Sequence, residues 1–575
     1  MNNVVKSILF SAAITPVAHA QDTGVWNSWG GNLENTHQGI NSPAITAETV
    51  KDLTVKWTFE TKGDVSAIPV VSENHIYFPD WGTPFVAPLN GGSYLHALDR
   101  ETGKSVWTKS ILGYSENLLN NLARSSFAIA GDLLIFGDNR GVVDSLISLP
   151  GAHGAQVYAI NRTTGELVWK TRVDENQLSI VTQSPVVYNG KVYVGTSSNE
   201  EEAARITKDC CSFRGAMLAL DLETGKILWK TYMTPKSEES DGFTGNAVWG
   251  SQPAIDVKRN AVYIATGNNY TFPKNLEECL KSFKGKPREQ QSECFDKFDV
   301  PDNYSDSVLA LDLDTGAIKW ARKLENFGAW TYACDPKKLL PGVPARHENC
   351  EDLESLDFDF AQAPMLVRSN KDGVERDIVA VGQKSGVFWA FDPDDEGATI
   401  WTTAVGPGGV LGGMEFGSAT DGERVYVSIT NFEHAEYALT AGPRKGETTN
   451  GGMWAALDLA TGELLWQTPD PSSKKSLKGI LFHPTFGAFL GDGYFATAKG
   501  PMTVNNGVVF AGSMDRQGHM YAFDARDGSI LWTFESGGSV MTAPAIVDNV
   551  LYWGSGYSKT GFANKKFYAF ELKSK

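Results

Sequence analysis

Two adjacent cysteines have the spacing in this sequence that most directly implies unusual chemistry. A bond between Cys210 and Cys211 would close a small, strained ring of a kind that usually serves a function. Four more cysteines form two closely spaced pairs, Cys279 with Cys294 and Cys334 with Cys350. Many pairings are open in principle. An oxidising compartment favours three local disulfides, and free thiols or distant bridges are the alternative for the adjacent pair.

Two kinds of redox or metal site have little support. No Cys-x-x-Cys-His motif occurs, so the chain carries no signal for a covalently attached c-type haem. The nine histidines are scattered, with no His-x-His or His-x3-His pair, which argues against a metal bound by histidines. A redox function would therefore need a cofactor of another kind.

Charge and the amino-terminal residues indicate the compartment. The net charge of −17 argues against nucleic acid and anionic membrane surfaces as partners. Lys6, the short apolar stretch 8–17 and Ala18-His19-Ala20 are typical of an export signal with its cleavage site. We expect residues 1–20 to be a signal peptide, residues 21–575 to form the mature protein in the periplasm or outside the cell, and no membrane span to follow.

An eleven-residue pattern, Ala-x-Asp-x-x-Thr-Gly-x-x-x-Trp, recurs along the chain. Close copies occupy 97–107, 159–169, 219–229, 310–320, 456–466 and 522–532, and a version one residue longer occupies 390–401. An eighth copy is split between the end of the chain at Phe567 and its beginning at Trp57.

Each copy has the features of a β-hairpin. An apolar strand leads into an Asp-x-x-Thr-Gly turn, and alternating residues that end in Trp form the next strand. A second hairpin signal precedes most copies, such as Asn189-Gly190 within 185–195. Four short strands per unit predict an all-β fold, a single eight-bladed β-propeller in which each Trp wedges between blades and terminal strands close the ring.

The spacing between the tryptophans is uneven. The additional residues follow Trp229 and Trp320, in insertions near 272–301 and 330–359 that each contain one cysteine pair. Insertions on one face of a propeller usually shape a binding site or its lid. Purely structural insertions are the alternative.

The repeat resembles the tryptophan-docking motif of the quinoprotein alcohol dehydrogenases, which use pyrroloquinoline quinone (PQQ), over essentially the whole mature chain. The polyvinyl alcohol dehydrogenase-like branch is the most similar, on the strings 78–82, 210–215, 382–386 and 552–557. The resemblance implies PQQ and calcium as cofactors. It also implies Glu200 and Asn268 as calcium ligands, which matches the preference of calcium for oxygen atoms.

The same resemblance implies a set of side chains around PQQ. Arg124, Thr182 and Ser197 correspond to groups that bind the cofactor carboxylates, and Asn431 to a hydrogen-bonding residue at the quinone edge. Trp249 corresponds to the ring beneath the cofactor, and bonded Cys210 and Cys211 to the group above it. Lys384 corresponds to the cation at the quinone oxygens. These eight residues are the expected cofactor-binding set.

The sequence departs from the family pattern at the catalytic base. Where relatives place an aspartate, this chain has Gly328 or Thr331, and neither accepts a proton as a carboxylate would. Asp359 and Glu415 are the candidate replacements, and we expect Asp359 to be the base if the protein oxidises alcohols. Strand-entry roles are the alternative for both.

Two functions follow from these observations. The first is a PQQ- and calcium-dependent oxidoreductase that oxidises a small or polymeric alcohol and passes electrons to a separate cytochrome c. The second is a catalytically altered propeller that acts as a binding or scaffold protein, since the usual catalytic aspartate is missing. Retained family residues favour the first, namely Thr182, Glu200, Asn268, Lys384 and the adjacent cysteines. Gly328 and Thr331 favour the second.

Overall fold

A computed structural model gives the fold of the chain. It describes residues 25–82, 92–115, 121–140, 154–205, 207, 210–236, 242–283, 285–324, 328–334, 349–350, 355–371, 373–475, 477–478, 481–483, 488–491 and 493–573. The predicted signal peptide, residues 1–20, lies outside the described residues. In the described ranges no helix is both long enough and apolar enough to span a membrane.

The described residues form eight four-stranded antiparallel sheets, the blades of the predicted propeller. Within each blade the strands follow one another from the innermost outward. Blade 1 comprises Val70–Val71, His75–Pro79, Tyr94–Asp99 and Ser105–Ser110. Blade 2 comprises Ala128–Ala130, Leu133–Gly137, Gln156–Asn161 and Leu167–Arg172. Blade 3 comprises Val186–Tyr188, Lys191–Gly195, Ala216–Asp221 and Ile227–Tyr232. Blade 4 comprises Ala254–Asp256, Ala261–Ala265, Ser307–Asp312 and Ile318–Lys323.

The remaining blades have the same order of strands. Blade 5 comprises Met365–Lys371, Val374–Gly382, Val387–Asp392 and Ala398–Ala404. Blade 6 comprises Ala419–Thr420, Arg424–Ile429, Met453–Asp458 and Leu464–Pro469. Blade 7 comprises Thr503–Asn505, Val508–Gly512, His519–Asp524 and Ile530–Glu535. Blade 8 comprises Ala545–Val547, Val550–Gly554, Lys566–Leu572 and Leu53–Glu60.

The ring closes through strands from opposite ends of the chain, as predicted. In blade 8, Leu53–Glu60 pairs with Lys566–Leu572, with Trp57 opposite Ala569 and Phe59 opposite Phe567. The C-terminal strand also pairs with Val550–Gly554, so it lies inside the sheet. This pairing leaves no blade open at the chain ends and covers edges that would otherwise be exposed.

Each repeat tryptophan packs against the following blade, as the repeat predicts. The indole of Trp169 donates to the carbonyl of Leu222 at 2.9 Å. It also lies beneath the turn glycine of that blade, because a Cβ built on Gly225 would be 2.5 Å from the ring. In the turn, Asp221 accepts hydrogen bonds from the amide and hydroxyl of Thr224. The Trp and Gly of the repeat are therefore contact partners across a blade junction.

Several short elements lie outside the blades. Three helices are Glu200–Ala203, Lys274–Ser282 and Arg288–Phe298, and four 3-10 turns are Val50–Asp52, Ile111–Gly113, Tyr332–Cys334 and Pro471–Lys474, all within the described residues. Two-stranded ladders pair Asn121–Leu122 with Asn139–Arg140, Ser179–Ile180 with Ser197–Ser198, Thr244–Gly245 with Asn269–Thr271, Tyr437–Ala438 with Thr448–Thr449, and Leu481–His483 with Ala488–Leu490.

All three predicted disulfides are present. They join Cys210 to Cys211, Cys279 to Cys294 and Cys334 to Cys350. The Cys279–Cys294 bridge ties the two longer helices into a hairpin with its own apolar cluster. Much of the other insertion, including 335–348, lies outside the described residues.

A segment without a repeat occupies the centre of the ring. Residues 26–40 exchange backbone hydrogen bonds with the innermost strands of seven blades in the described chain, at Val71, Ile129, Ile255, Leu366, Thr420, Val504 and Ile546. Trp26 and Trp29 pack there against inner-strand side chains of blades 8 and 1. The segment thus links the blades to one another through their inner edges.

Candidate functional site

A cavity of about 240 Å³ lies on the axis of the ring, since residues from every blade junction line it. Two recurring positions of the blade supply lining side chains. The position four residues before the innermost strand supplies Ser66, Arg124, Thr182, Glu415, Lys499 and Met541, and the position two residues after the second strand supplies Asn139, Ser197, Gly267 and Lys384. The repeat therefore aims the same positions of successive blades at one site.

A second cavity, of about 620 Å³, lies at the outer junction of blades 8 and 1. Its charged side chains pair with one another, as in the Lys56–Glu101 pair at 2.8 Å and the Arg100–Asp548 pair at 2.8 Å. The glutamate is 79% exposed, so these are surface ion pairs of small energetic value. The chemistry predicted from the sequence lies in the axial cavity.

The axial cavity brings together seven of the eleven residues predicted for the site. Those that line it are Arg124, Thr182, Ser197, Trp249, Asn268, Asp359 and Lys384. The other four, Glu200, Cys210, Cys211 and Asn431, are not among its lining residues.

A buried lysine between two aspartates forms the polar centre of the cavity. The Lys384 ammonium lies 3.0 Å from Asp357 Oδ2 and 2.7 Å from Asp359 Oδ1. It also lies 5.2 Å from the centre of the Trp249 ring, whose indole nitrogen donates to Asp359 Oδ2 at 2.8 Å. All three charged side chains are buried. The cluster thus presents an aromatic face, a fixed cation and two carboxylates to the cavity.

Burial and mutual repulsion shift the ionisation of this cluster. Burial, then repulsion from Asp359, raise the pKa of Asp357 to about 7, although Lys384 offsets part of the shift. Burial lowers the pKa of Lys384, but the carboxylates of Asp357 and Asp359 outweigh it and the net shift is upward. Lys384 therefore stays charged at neutral pH. Asp357, by contrast, changes its protonation state close to neutral pH.

Glu201 lines the cavity, whereas Glu200, the calcium ligand expected from the sequence, does not. The Glu200 carboxylate accepts hydrogen bonds from the amides of Ser212 and Phe213 at 2.9 and 2.8 Å, and from Asn176 and the Ser212 hydroxyl. It therefore holds the segment that follows the adjacent cysteines. Glu201, the next residue on the short helix, lines the cavity instead.

The electrostatic surroundings of Glu201 favour a cation. Burial, then repulsion from Asp357, raise the pKa of Glu201 well above its ordinary value, and Lys384 offsets only part of this. The donors of Asn176 and Ser212 are engaged by the neighbouring Glu200. A metal ion beside Glu201 would stabilise the charged form.

Asn268 presents its side-chain oxygen to the same cavity. Its amide nitrogen donates to the carbonyls of Asn269 and Trp330 at 2.7 and 2.8 Å. The nitrogen is therefore fixed away from the cavity lining, and the oxygen is the atom left for a ligand. No cluster of three His, Cys, Asp or Glu groups at metal-binding distance occurs in the described residues. A metal ion bound here would be coordinated by oxygen atoms of Glu201 and Asn268, and its remaining ligands would be further oxygen atoms, such as those of a bound cofactor.

Three further predicted residues have defined partners at the cavity wall. The Thr182 hydroxyl donates to the carbonyl of Trp249 at 3.1 Å, which fixes the segment that carries the indole. Ser197 lies in the short ladder with Ile180. The Arg124 guanidinium donates to Tyr557 at 3.0 Å and stacks over Trp81 at 4.5 Å. No carboxylate pairs with Arg124 among the described residues, so its charge is available to an anion.

The adjacent cysteines share packing partners with the indole but are not among the residues that line the cavity. Cys211 and Trp249 both pack against the cluster of Phe213, Ala247 and Tyr270. The described structure therefore places the disulfide and the indole on one shared support. A cofactor between them stays a prediction.

Three positions singled out in the sequence have other roles. The Asn431 amide bonds to Ala435 and Gly451 within its own loop, so the structure does not bring it to the cavity. Gly328 has φ 96°, a conformation that favours glycine over aspartate. Thr331 is buried, and its hydroxyl donates to the carbonyl of Asn349 at 3.1 Å.

Comparisons with known proteins agree with the fold and identify the family. The family model described as outer membrane protein assembly factor BamB matches residues 42–322 and 449–574. Polyvinylalcohol dehydrogenases of a Pseudomonas species and of Sphingopyxis sp. (strain 113P3) are both 31% identical to the chain, over 93% and 95% of it and 73% and 75% of their own lengths.

A solved structure shows the same fold. The quinohemoprotein alcohol dehydrogenase from Comamonas testosteroni superposes with a TM-score of 0.62 at 18% identity, over 97% of this chain and 82% of that one.

Proposed function

Because the chain belongs to the family of PQQ-dependent dehydrogenases, we propose that it binds PQQ and calcium in the axial cavity and oxidises an alcohol or related hydroxyl compound. The substrate is a small or polymeric alcohol, as in relatives named for polyvinyl alcohol. The observation that carries the proposal is the buried Lys384 between Asp357 and Asp359, beside Trp249. We also propose export to the periplasm or the outside of the cell, in line with three disulfides.

The cavity lining fits a flat, anionic quinone and a hard cation. Trp249 offers a stacking surface, and Arg124 and Lys384 offer positive charge. Glu201 and Asn268 offer the oxygen atoms that calcium prefers. We therefore assign the carboxylate ligand to Glu201 and leave Glu200 as the support of the cysteine loop.

Asp357, Lys384 and Asp359 have different roles in the proposed oxidation. When bound, PQQ supplies a two-electron oxidant that calcium polarises. Asp357, with a pKa of about 7, is ionised in part at neutral pH and takes the proton of the substrate hydroxyl. Lys384 stays protonated and stabilises negative charge that develops beside it. Asp359 holds Lys384 and the indole of Trp249 in position.

Electrons leave for a separate acceptor in this proposal. The sequence has no Cys-x-x-Cys-His motif for a haem of its own. A separate cytochrome c, which accepts one electron at a time, is the acceptor we propose.

The scaffold alternative depended on the absence of aspartate at Gly328 and Thr331. Asp357 and Asp359 supply two buried carboxylates at the cavity, so the alternative loses its main support. Failure of the purified protein to bind PQQ would favour it again.

Reconstitution with PQQ tests the proposal directly. We expect the apoprotein to bind PQQ in a calcium-dependent manner, followed by the absorption spectrum of the bound quinone and by alcohol-dependent reduction of a dye. Glu201→Gln should abolish the calcium dependence, since the ion loses its main carboxylate. Glu200→Gln is the matched control and should lower stability with the calcium dependence intact. The reverse pattern would return the metal site to Glu200.

A further inference from the structure

A second buried ion pair lines the axial cavity and has no part in the chemistry described above. Lys499 Nζ lies 2.8 Å from Glu415 Oε2, and the two side chains are only 5% and 2% exposed. The same ammonium donates to the carbonyl of Leu411 at 3.2 Å. An ammonium has three donors, and among the described acceptors the Leu411 carbonyl takes one hydrogen bond from it, so at least one donor remains even if the ion pair with Glu415 uses another. Lys499 is also one of the residues that line the cavity.

The two buried lysines lie over two rings that touch each other. Lys384 is 5.2 Å from the centre of the Trp249 ring, and Lys499 is 5.7 Å from that of Phe416. The rings meet edge to face, with 5.9 Å between their centres. A flat ligand stacked on Trp249 would therefore lie near the Lys384 ammonium and border Phe416, the ring beside which the Lys499 ammonium lies.

The blade repeat gives an independent reason to assign Lys499 to ligand binding. Lys499 precedes its innermost strand, Thr503–Asn505, by four residues. Arg124 and Thr182 occupy the same position in blades 2 and 3, and all three line the cavity. The fold thus directs Lys499 to the axis as it directs the residues that the sequence assigns to the carboxylates of PQQ.

Building on the proposed function, we propose that Lys499 is a further cofactor-binding cation, whose ammonium binds a carboxylate of PQQ, and that Glu415 is its positioning residue. A buried ammonium is costly unless anions surround it. Glu415 provides one anion, and an uncharged alcohol would provide none. A planar ligand with several carboxylates is the class of molecule that would accept a hydrogen bond from a remaining N–H of Lys499.

Removal of the positive charge of Lys499 and removal of the negative charge of Glu415 should change the affinity for PQQ in opposite directions. In titrations of apoprotein with PQQ and calcium, followed by quenching of tryptophan fluorescence, Lys499→Gln should raise the Kd about tenfold or more, as loss of a charge-assisted hydrogen bond does. Glu415→Gln leaves the ammonium without its counter-charge and should lower the Kd several-fold. Lys226→Gln, in an exposed turn, is the matched control and should change nothing.

The trimethyl ester of PQQ identifies the group that Lys499 contacts. With carboxylate charges masked, wild type and Lys499→Gln should bind within about twofold of each other. Unchanged PQQ affinity in Lys499→Gln would overturn the assignment while the proposed function stands, whereas a wild-type protein that does not bind PQQ would overturn both. If Lys499→Gln does not fold, the double variant Lys499→Gln/Glu415→Gln leaves neither buried charge, and it should bind PQQ more weakly than wild type.

Discussion

Asp357 and Asp359 share one lysine but differ in their other partners. One oxygen of Asp359 accepts the Trp249 indole N–H, and the other faces Lys384. Asp357 faces Lys384 through Oδ2, and neither its Oδ1 nor Asp359 Oδ1 has a hydrogen-bond partner among the described residues. Asp359 Oδ1 nevertheless lies 2.7 Å from the Lys384 ammonium, which leaves Asp357 Oδ1 as the freer atom. A base needs an oxygen that is free to accept a proton, so the geometry favours Asp357 over Asp359, the residue expected from the sequence.

Asp357→Asn should lower kcat by a factor on the order of 100 or more, because the amide cannot take the hydroxyl proton. Asp359→Asn keeps that base, so we expect a smaller loss of kcat and a change in the fluorescence of Trp249. Steady-state kinetics at saturating PQQ and calcium check both, and PQQ titration verifies that the cofactor still binds. A larger loss of kcat in Asp359→Asn would make Asp359 the base after all.

The differences at the residue level between the sequence prediction and the site we propose have simple physical causes. Three glutamates, 200–202, follow one another on a four-residue helix, and residue type alone does not tell which one faces inward. Asp357 was detectable, since alternate residues of an extended segment point the same way and Asp359 was already a candidate. Lys499 was detectable as well, from alignment of the positions that precede each innermost strand.

At the level of elements, the tryptophan contacts made the blades predictable. Each repeat encodes a local hairpin, and its Trp and Gly encode the junction to the next blade, so sequence periodicity alone specifies the ring. The central segment 26–40 was not predicted, because its contacts join residues far apart in the chain and it has no repeat. Its Trp29 lines the cavity nevertheless.

Two glycines with nearly the same backbone conformation allow the energy of the Trp–Gly contact between blades to be measured apart from backbone strain. Gly225 has φ 70° and lies over Trp169, whereas Gly190 has φ 72° and no atom within 4 Å of the point that a Cβ would occupy. Gly190→Ala should cost only the left-handed strain of roughly 1–2 kcal/mol. Gly225→Ala should cost roughly 1–3 kcal/mol more, since the methyl group collides with the indole. Urea denaturation measures both, and equal losses would show that the junction adapts freely.

At the level of the whole molecule, stability depends on a ring closed by hydrogen bonds and not by covalent linkage. The last strand, Lys566–Leu572, lies between Leu53–Glu60 and Val550–Gly554 and is the only connection between them in the described sheet. Its Phe567 and Phe570 are fully buried in two different apolar clusters. The strand Lys566–Leu572 therefore belongs to the core.

Removal of residues 566–575 should consequently destabilise the entire ring. The deletion exposes two strand edges and removes two buried phenylalanines, each worth about 1.5–3 kcal/mol of transfer free energy. Met541 and Tyr557 border the same blade and line the cavity, so PQQ affinity should fall as well. We expect a lower Tm and a broader thermal transition than for a control chain that ends at Lys573, which keeps the strand. A Tm within about 2 °C of this control would mean that the central segment 26–40, bonded to seven inner strands, holds the ring without its closing strand.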